Sequence, residues 1–320
     1  MPPEISVVTP TLGRPEEVRE LLGSLSLQTC LPREVVLVDG AAKVDDRTRH
    51  VCDEMESRLT YRLVYLRRGG GTALQRNAGI DVAEEGFIAF VDDDIRLERD
   101  FFERMIEVFE GDTEGGIGGV TGYITNQHLD PSTSRRWRWY RRLRLFTTYE
   151  PGRYDYATGY PINRYLQPPH EGLREIDFMG AGCAVWRREV FDSGLRFSTF
   201  FTGHGVLEDA HLALRAGRRW RLLENGRARA VHLRSPGARS DMRRLGRVSA
   251  VNYRFVFVDL LPERTVRQEL RFWRVQLVDL ASFAAAFVRR PSRGGAALVL
   301  GKLEGLWKAL RLRGKGKDNE

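Results

Sequence analysis

The sequence has few cysteines, and none of them lie in a motif that binds metal. Its 320 residues contain three, Cys30, Cys52 and Cys183, with no CxxC spacing. An odd and scattered set of thiols excludes a disulfide framework and a cysteine zinc cluster. Free thiols of this kind are typical of a reducing compartment, so we expect a cytoplasmic protein.

Long hydrophobic runs are missing as well. The longest candidate, VQLVDLASFAAAFV at 275–288, is interrupted by Asp279 and is shorter than the roughly 20 apolar residues that a membrane-spanning helix needs. The N-terminal MPPEISVVTPTLGRPEEV has no basic region followed by an apolar one, so it does not resemble a signal peptide. We therefore expect no spanning segment, and any membrane contact should be peripheral, at the inner face of the cell membrane.

Lysine is scarce, although the chain is basic. Apart from Lys43, every lysine lies beyond residue 300, and arginine supplies most of the formal charge of +8. A GC-rich genome explains this bias as readily as phosphate binding does. The charge suits a nucleotide, a phospholipid surface or a nucleic acid and does not choose among them. With 42% hydrophobic residues, the chain is long enough to bury one large core or two unequal ones.

The first ninety residues alternate strand patterns with helix patterns. Compact runs rich in Val, Ile and Phe are typical of strands that are buried on both faces. Helical segments separate them, the first with Pro15 at its start and apolar residues spaced three and four apart. This alternation predicts a mostly parallel sheet flanked by helices. The predicted strands are 5–10, 34–39, 61–66 and 87–92.

Ligands of open α/β sheets bind at the carboxyl ends of the strands. The residues found there are Thr9, Pro10 and Thr11 after the first strand, Asp39 after the second, and Asp92, Asp93 and Asp94 after the fourth. Three adjacent carboxylates repel one another unless a divalent cation lies between them and a diphosphate. Acids also begin loops and cap helices, so the cluster alone leaves both interpretations open.

Several segments together resemble the family 2 glycosyltransferases of the GT-A fold. They are ISVVTPTLGRPEEVRELLGSLSLQT, EVVLVDG, QRNAGIDVAEEGFIAFVDDD and LEDAHLALRAG, in this order, and the resemblance covers residues 4–235. It implies an Asp-x-Asp element in which Asp92 meets the ribose and Asp94 holds Mn²⁺ or Mg²⁺ on the diphosphate of a nucleotide-sugar. Asp93 is placed with the donor site.

The resemblance also implies roles for residues outside this cluster. Asp39 would face the base, which favours a UDP- or TDP-sugar over a GDP-sugar, and Arg76 and Asn77 match an Arg-Asn pair near the donor. Asp209 would be the catalytic base, with Glu208 orienting acceptor or sugar. His232 is a candidate metal ligand, since late histidines of some relatives bind the metal. Arg76 as a solvated helix residue and His232 as a structural residue remain open alternatives.

Two basic segments carry an amphipathic pattern. SRRWRWYRRLRLF at 134–146 interleaves arginine with aromatic residues, and LVLGKLEGLWKALRLRGKGK at 298–317 has leucines and Trp307 on one helix face, with Lys302, Lys308, Arg311 and Arg313 available to anionic lipid. Such segments partition to lipid headgroups, but core packing or a subunit contact explains the same pattern. We expect an anionic membrane surface as a partner and no nucleic acid.

These observations predict an inverting glycosyltransferase that moves a sugar to a hydroxyl of a saccharide or lipid-linked saccharide in cell-envelope polysaccharide synthesis. The predicted GT-A domain spans 1–260, with a donor half at about 1–125 and an acceptor half at about 126–260, followed by a basic helical extension at 261–320. A catalytically silent, membrane-associated nucleotide-binding protein and a sugar nucleotidyltransferase are the alternatives. The intact acidic elements argue against the first, and TPTLGRPEE lacks the glycine-rich basic signature of the second.

Overall fold

The computed structural model describes residues 4–203, 205–233 and 241–312, so the last residues of the predicted extension, 313–320, lie outside the described residues. The strands in the described ranges are β1 (Ile5–Thr11), β2 (Glu34–Asp39), β3 (Arg62–Arg67), β4 (Phe87–Val91), β5 (Ile95–Leu97), β6 (Ile117–Ile124), β7 (Tyr154–Asp155), β8 (Tyr160–Pro161), β9 (Leu173–Ile176), β10 (Cys183–Arg187) and β11 (Arg221–His232). The α-helices are α1 (Pro15–Leu25), α2 (Arg47–Met55), α3 (Thr72–Val82), α4 (Phe101–Glu110), α5 (Arg135–Arg142), α6 (Glu189–Asp192), α7 (Glu208–Ala216), α8 (Met242–Leu260), α9 (Val266–Arg289) and α10 (Arg293–Ala309).

Two compact units divide the chain, one formed by 1–128 and 167–235 and the other by 129–166 and 236–320. The first unit contains a mixed sheet whose described strands run in the order β3-β2-β1-β4-β10-β6-β11-β5, with β9 paired to β11. The pairings from β3 to β4 are parallel, as predicted, whereas β10 runs antiparallel to both of its neighbours. The α/β architecture expected of the GT-A fold is thus confirmed.

The N-terminal elements follow the sequence pattern closely. Each of the four predicted strands is present within one residue at either end. In α1, Pro15 occupies the first turn, two acids complement the helix N-terminus, and the predicted apolar face of Val18, Leu21, Leu22 and Leu25 is buried. These elements hold β1 and β4 side by side, so that Thr11 and the triple Asp leave the same edge of the sheet.

The second unit is largely helical. Its described part contains a core around Trp137, Tyr140 and Val275, and a smaller one in which Phe257 stacks on Phe272. Within this unit α8 packs against α10. The predicted domain boundary at residue 260 stays a prediction. Lys302 does not face solvent as the sequence suggested: it is buried and forms an ion pair with Asp279.

Candidate functional site

The triple Asp lies in the turn between β4 and β5. The Ile95 amide donates to the Asp92 carbonyl (3.1 Å), which reverses the chain, and β5 then pairs antiparallel with the end of β11. The Asp92 amide donates to Gly182 O in the loop before β10 (3.1 Å). This turn, the loop and the end of β11 therefore meet at the carboxyl end of β4, where a ligand of an open sheet is expected.

Asp93 is held inside the protein by two residues that precede or begin α1. One carboxylate oxygen accepts from Thr11 Oγ1 (2.7 Å) and the other from Arg14 Nη1 (2.8 Å). Burial raises the pKa of Asp93 to about 6, with a contribution from the charges of Asp92 and Asp94, although its two donors oppose that shift. The carboxylate thus ties the β4 turn to the β1 end, and Arg14 also lies 3.7 Å from Asp94.

Asp94 and His232, the two residues predicted as metal ligands, lie next to each other. Asp94 Oδ1 is 3.1 Å from His232 Nε2, because the pairing of β5 with β11 sets His232 opposite Ile95. The Gln127 amide lies 2.8 Å from His232 Nδ1. Burial raises the pKa of Asp94, but the His232 hydrogen bond and charge, with Arg14, bring it below its usual value.

A carboxylate oxygen and an imidazole nitrogen are both suitable donors for Mn²⁺. In the described ranges, no group of three or more His, Cys, Asp or Glu side chains is placed to hold a metal ion. A cation that binds a nucleotide diphosphate commonly has two protein donors, and substrate oxygens take its remaining coordination positions. The donor set formed by Asp94 and His232 fits such an ion.

Arg76 joins the triple Asp to the Glu-Asp pair. It extends from α3, is 3% exposed, and donates from Nη2 to Asp92 Oδ1 (2.8 Å) and from Nη1 to Glu208 Oε1 (2.5 Å). Burial lowers the pKa of Arg76, but the charges of Asp92, Glu208 and Asp209 more than offset this and raise it above its usual value. A buried guanidinium between carboxylates is therefore charged, and it fixes the position of both acidic elements.

Glu208 begins α7 in a buried position. Its Oε1 accepts from Arg76 and from Thr72 Oγ1 (2.5 Å), whereas Oε2 has no hydrogen-bond partner among the described residues. Burial raises the pKa of Glu208 to about 7, since the repulsion of Asp209 and Asp92 adds to desolvation while Arg76 and Thr72 only partly compensate. A carboxyl group in this state titrates near neutral pH.

The loop before β10 contacts both acidic elements. The Ala181 amide donates to Asp209 Oδ2 (3.1 Å), and a Cβ at Gly182 would come within 2.9 Å of Asp92 Oδ2. Gly182 therefore lets the backbone approach Asp92 closely. The small residues of MGAGC, at 179–183, thus lie between Asp92 and Asp209.

The other predicted donor residues make structural contacts within this unit. Asp39 is buried and accepts from the amides of Gly13 (3.2 Å) and Ala41 (2.9 Å) and from the Tyr65 hydroxyl (3.0 Å). Asn77 uses both ends of its amide on the backbone of Phe197, at 2.8 and 2.9 Å. Their roles in donor binding remain predictions.

Thr9 and Pro10 lie within β1, where they pair with β2. Thr9 is fully buried, and its hydroxyl has no partner among the described residues. Pro10 lies opposite Val38. Neither contact identifies a ligand, so their assignment to the donor site also stays a prediction.

The sequence did not single out Arg14, Thr72 or Gln75. Gln75 Nε2 donates to the carbonyls of Thr11 and Val38, both at 2.7 Å, and so connects the ends of β1 and β2. Arg14 stands between the predicted first strand and Pro15, and Thr72 follows the glycines of RRGGGT. Arg14 and Thr72 could have been identified from the sequence, because each follows shortly after a predicted strand.

Comparison with known proteins identifies the family of this chain. The model of the family described as glycosyl transferase family 2 matches residues 6–195. TuaG of Bacillus subtilis (strain 168), named for teichuronic acid biosynthesis, is 28% identical over 107 residues, which is 33% of this chain and 41% of TuaG. The glycosyltransferase GlyG of Streptococcus pneumoniae serotype 4 is 30% identical over 121 residues, 37% of this chain and 40% of GlyG. Both matches span less than half of the relative.

A solved structure shares the fold over nearly the whole chain. The mannosyltransferase PcManGT from Pyrobaculum calidifontis, solved with GDP-Man and Mn²⁺, superposes with a TM-score of 0.55 over 96% of this chain and 88% of its own, at 16% identity. At that identity the likeness supports the fold alone. Because the family model matches more than half of the sequence, this protein belongs to glycosyl transferase family 2.

Proposed function

We propose that the protein transfers a sugar from a nucleoside diphosphate sugar to a hydroxyl acceptor with inversion at the anomeric carbon. The observation that carries this proposal is the double contact of Arg76, which donates to Asp92 and to Glu208. It brings the acids expected at the donor diphosphate next to those expected at the acceptor. An inverting displacement needs these two groups on opposite sides of one reacting carbon.

The donor is proposed to bind at the β4 turn, with Asp92 on the ribose and Asp94 and His232 holding Mn²⁺ or Mg²⁺. When bound, such an ion neutralises negative charge on the departing diphosphate. Arg76 and Arg14 keep Asp92 and Asp93 in place, which supplies preorganisation without rearrangement during the reaction. We assign recognition of the nucleobase to Asp39, and we favour a uridine or thymidine donor over a guanosine one.

We assign the role of catalytic general base to Asp209. Its Oδ2 is oriented by the Ala181 amide, and its side chain is partly exposed, so the carboxylate is open to an acceptor. Asp209 takes the proton from the acceptor hydroxyl as that oxygen attacks the anomeric carbon, and the bond to the diphosphate oxygen breaks. Glu208 is buried beside it and positions Arg76 and the start of α7.

The acceptor is proposed to be a saccharide or lipid-linked saccharide used in cell-envelope polysaccharide synthesis at the cytoplasmic side of the membrane. The name of TuaG and the basic helices of the second unit support this choice. Among the described residues, no helix is both long enough and apolar enough to cross a membrane. The protein would then reach a lipid-linked acceptor from the surface.

Asp209→Asn tests the proposal in two measurements. Thermal shift with UDP, TDP and GDP in the presence of Mn²⁺ identifies the preferred nucleotide, because a ligand of the folded state raises the Tm. The variant should show the same shift as the wild type, since Asn still accepts from Ala181. Transfer or donor hydrolysis, followed as release of nucleoside diphosphate, should fall about 10²- to 10⁴-fold, the usual contribution of a general base.

Asp53→Asn, a change at an exposed carboxylate of α2, is the matched control and should keep full turnover. Wild-type turnover in Asp209→Asn would overturn the assignment of the base. If no nucleotide shifts the Tm of the wild-type protein, the donor site itself is misassigned. These two failures are distinguishable.

A further inference from the structure

The helical unit has an exposed apolar stripe along α9. Val266, Leu270 and Leu277 are 76, 67 and 59% exposed, and their spacing of four and seven residues puts them on one face of the helix. The opposite face, with Phe272 and Val275, is fully buried. The stripe therefore occurs where a solvated helix normally carries polar residues.

The end of α5 adjoins this stripe. Arg274 is one turn from both Leu270 and Leu277, and its Nη2 donates to the carbonyl of Leu143 (2.7 Å). Leu143 is 40% exposed, and Trp139, one turn earlier, is 46% exposed. We call these five apolar residues, Trp139, Leu143, Val266, Leu270 and Leu277, the α5–α9 face.

Arginine dominates the exposed charges of α5 and α9, and the exposed acid Glu263 lies just before α9. The α5 sequence, RRWRWYRR, contains no acid, and the two acids of α9 are paired with cations of their own unit. Glu269 accepts from Arg254 (2.7 Å), and Asp279 pairs with Lys302. Exposed arginines of these two segments therefore have no exposed acid beside them on the same helices. They include Arg138, Arg141, Arg142, Arg144, Arg267 and Arg274.

We propose that the α5–α9 face docks on an anionic lipid bilayer. Leucine and tryptophan side chains insert at the headgroup boundary, and arginines around them bind lipid phosphates. A nucleic acid would use the arginines but not the leucines, and a second copy of this basic face would repel the first. The surface is separate from the transfer chemistry, so its test needs no activity.

Flotation of the full chain with vesicles tests the docking. The protein should float with phosphatidylglycerol-containing vesicles, remain unbound with pure phosphatidylcholine, and lose binding as salt rises. Arg142→Gln/Arg267→Gln should weaken the partition coefficient about 25-fold, at roughly fivefold for each arginine near an anionic surface. Leu270→Ser/Leu277→Ser should weaken it at least about tenfold, because burying a leucine contributes roughly 1.5–3 kcal/mol.

Two control variants carry the same kinds of substitution, Arg→Gln and Leu→Ser, at exposed positions of the first unit. Arg58→Gln/Arg227→Gln and Leu27→Ser/Leu173→Ser alter exposed residues there and should float like the wild type. The proposal is overturned if the wild type does not float, or if the face variants and the controls float equally. Size-exclusion chromatography of all five proteins completes the test. If the wild type does not float but forms a dimer that only Leu270→Ser/Leu277→Ser disrupts, the face binds a second copy of the chain instead.

Discussion

At the residue scale, the site depends on buried side chains that connect acidic elements rather than on the acids alone. Arg76 bonds to Asp92 and Glu208, and Arg14 and Thr11 bond to Asp93. The sequence named the acids because runs of carboxylates are visible in a chain. It left Arg76 open between a ligand residue and a solvated helix residue, and burial removes the second alternative. Arg14 was not identified, since its partners are 79 and 80 residues away.

The residue scale also predicts a pH dependence of stability. Burial raises the pKa of Glu208 to about 7, so the folded protein retains a proton that the unfolded chain loses nearer pH 4.5. The free energy of unfolding that Glu208 contributes should therefore fall as pH rises from about 4.5 to about 7 and be constant above. Relative to Glu208→Gln, the wild type should lose on the order of 3 kcal/mol across this window, measured by urea unfolding at several pH values.

Glu114→Gln, at an exposed position, is the control for that measurement. Its difference from the wild type should not change over the same window. A difference between wild type and Glu208→Gln that is independent of pH would show that Glu208 is ionised in the folded protein throughout.

At the element scale, the close contact of α8 with α10 depends on a glycine. A Cβ at Gly301 of α10 would lie 1.9 Å from the carbonyl oxygen of Arg243 in α8, so backbone would have to move. Gly301→Ala should destabilise the protein by about 1–3 kcal/mol, the usual cost of overpacking. The midpoint of urea unfolding measures this change.

Gly23 in α1 is the matched control because a Cβ there meets no atom within 4 Å. Gly23→Ala should leave the free energy of unfolding unchanged or raise it by about 0.5–1 kcal/mol, since alanine favours a helix. The urea midpoint should accordingly stay the same or rise. Equal effects of the two substitutions would contradict the tight α8–α10 contact.

The elements that sequence reasoning missed share a physical cause. β5 has three residues, too few for a periodic pattern, and it exists because β11 supplies its partner. α5 has only eight residues, and contacts with α9 stabilise it: the Tyr140 hydroxyl donates to Asp279 (2.5 Å), and Trp137 packs in the same cluster as Val275. By contrast, β1 to β4 and α1 carry their pattern locally and were predicted within a residue or two.

At the scale of the whole molecule, the division into units predicts the outcome of a truncation. A chain ended at residue 260, the boundary expected from the sequence, keeps α5 and α8 but loses α9 and α10. Phe257 would lose Phe272, and Tyr140 would lose Asp279. We expect this chain to be less soluble than the full chain and to unfold at a lower temperature, as measured by size-exclusion chromatography and thermal denaturation. Full-length behaviour of the truncated chain would support the boundary at 260 instead.

By itself, the sequence determined the α/β class, the first four strands, the positions of the acids and the family. Each of these depends on local pattern or on order along the chain, and both are legible without coordinates. Only the tertiary structure decided that Arg76 connects the two acidic elements, that His232 lies beside Asp94, and that Lys302 is buried rather than free for lipid. These pairings join residues far apart in sequence, and burial with its loss of hydration sets their charge and contacts, so no local pattern encodes them.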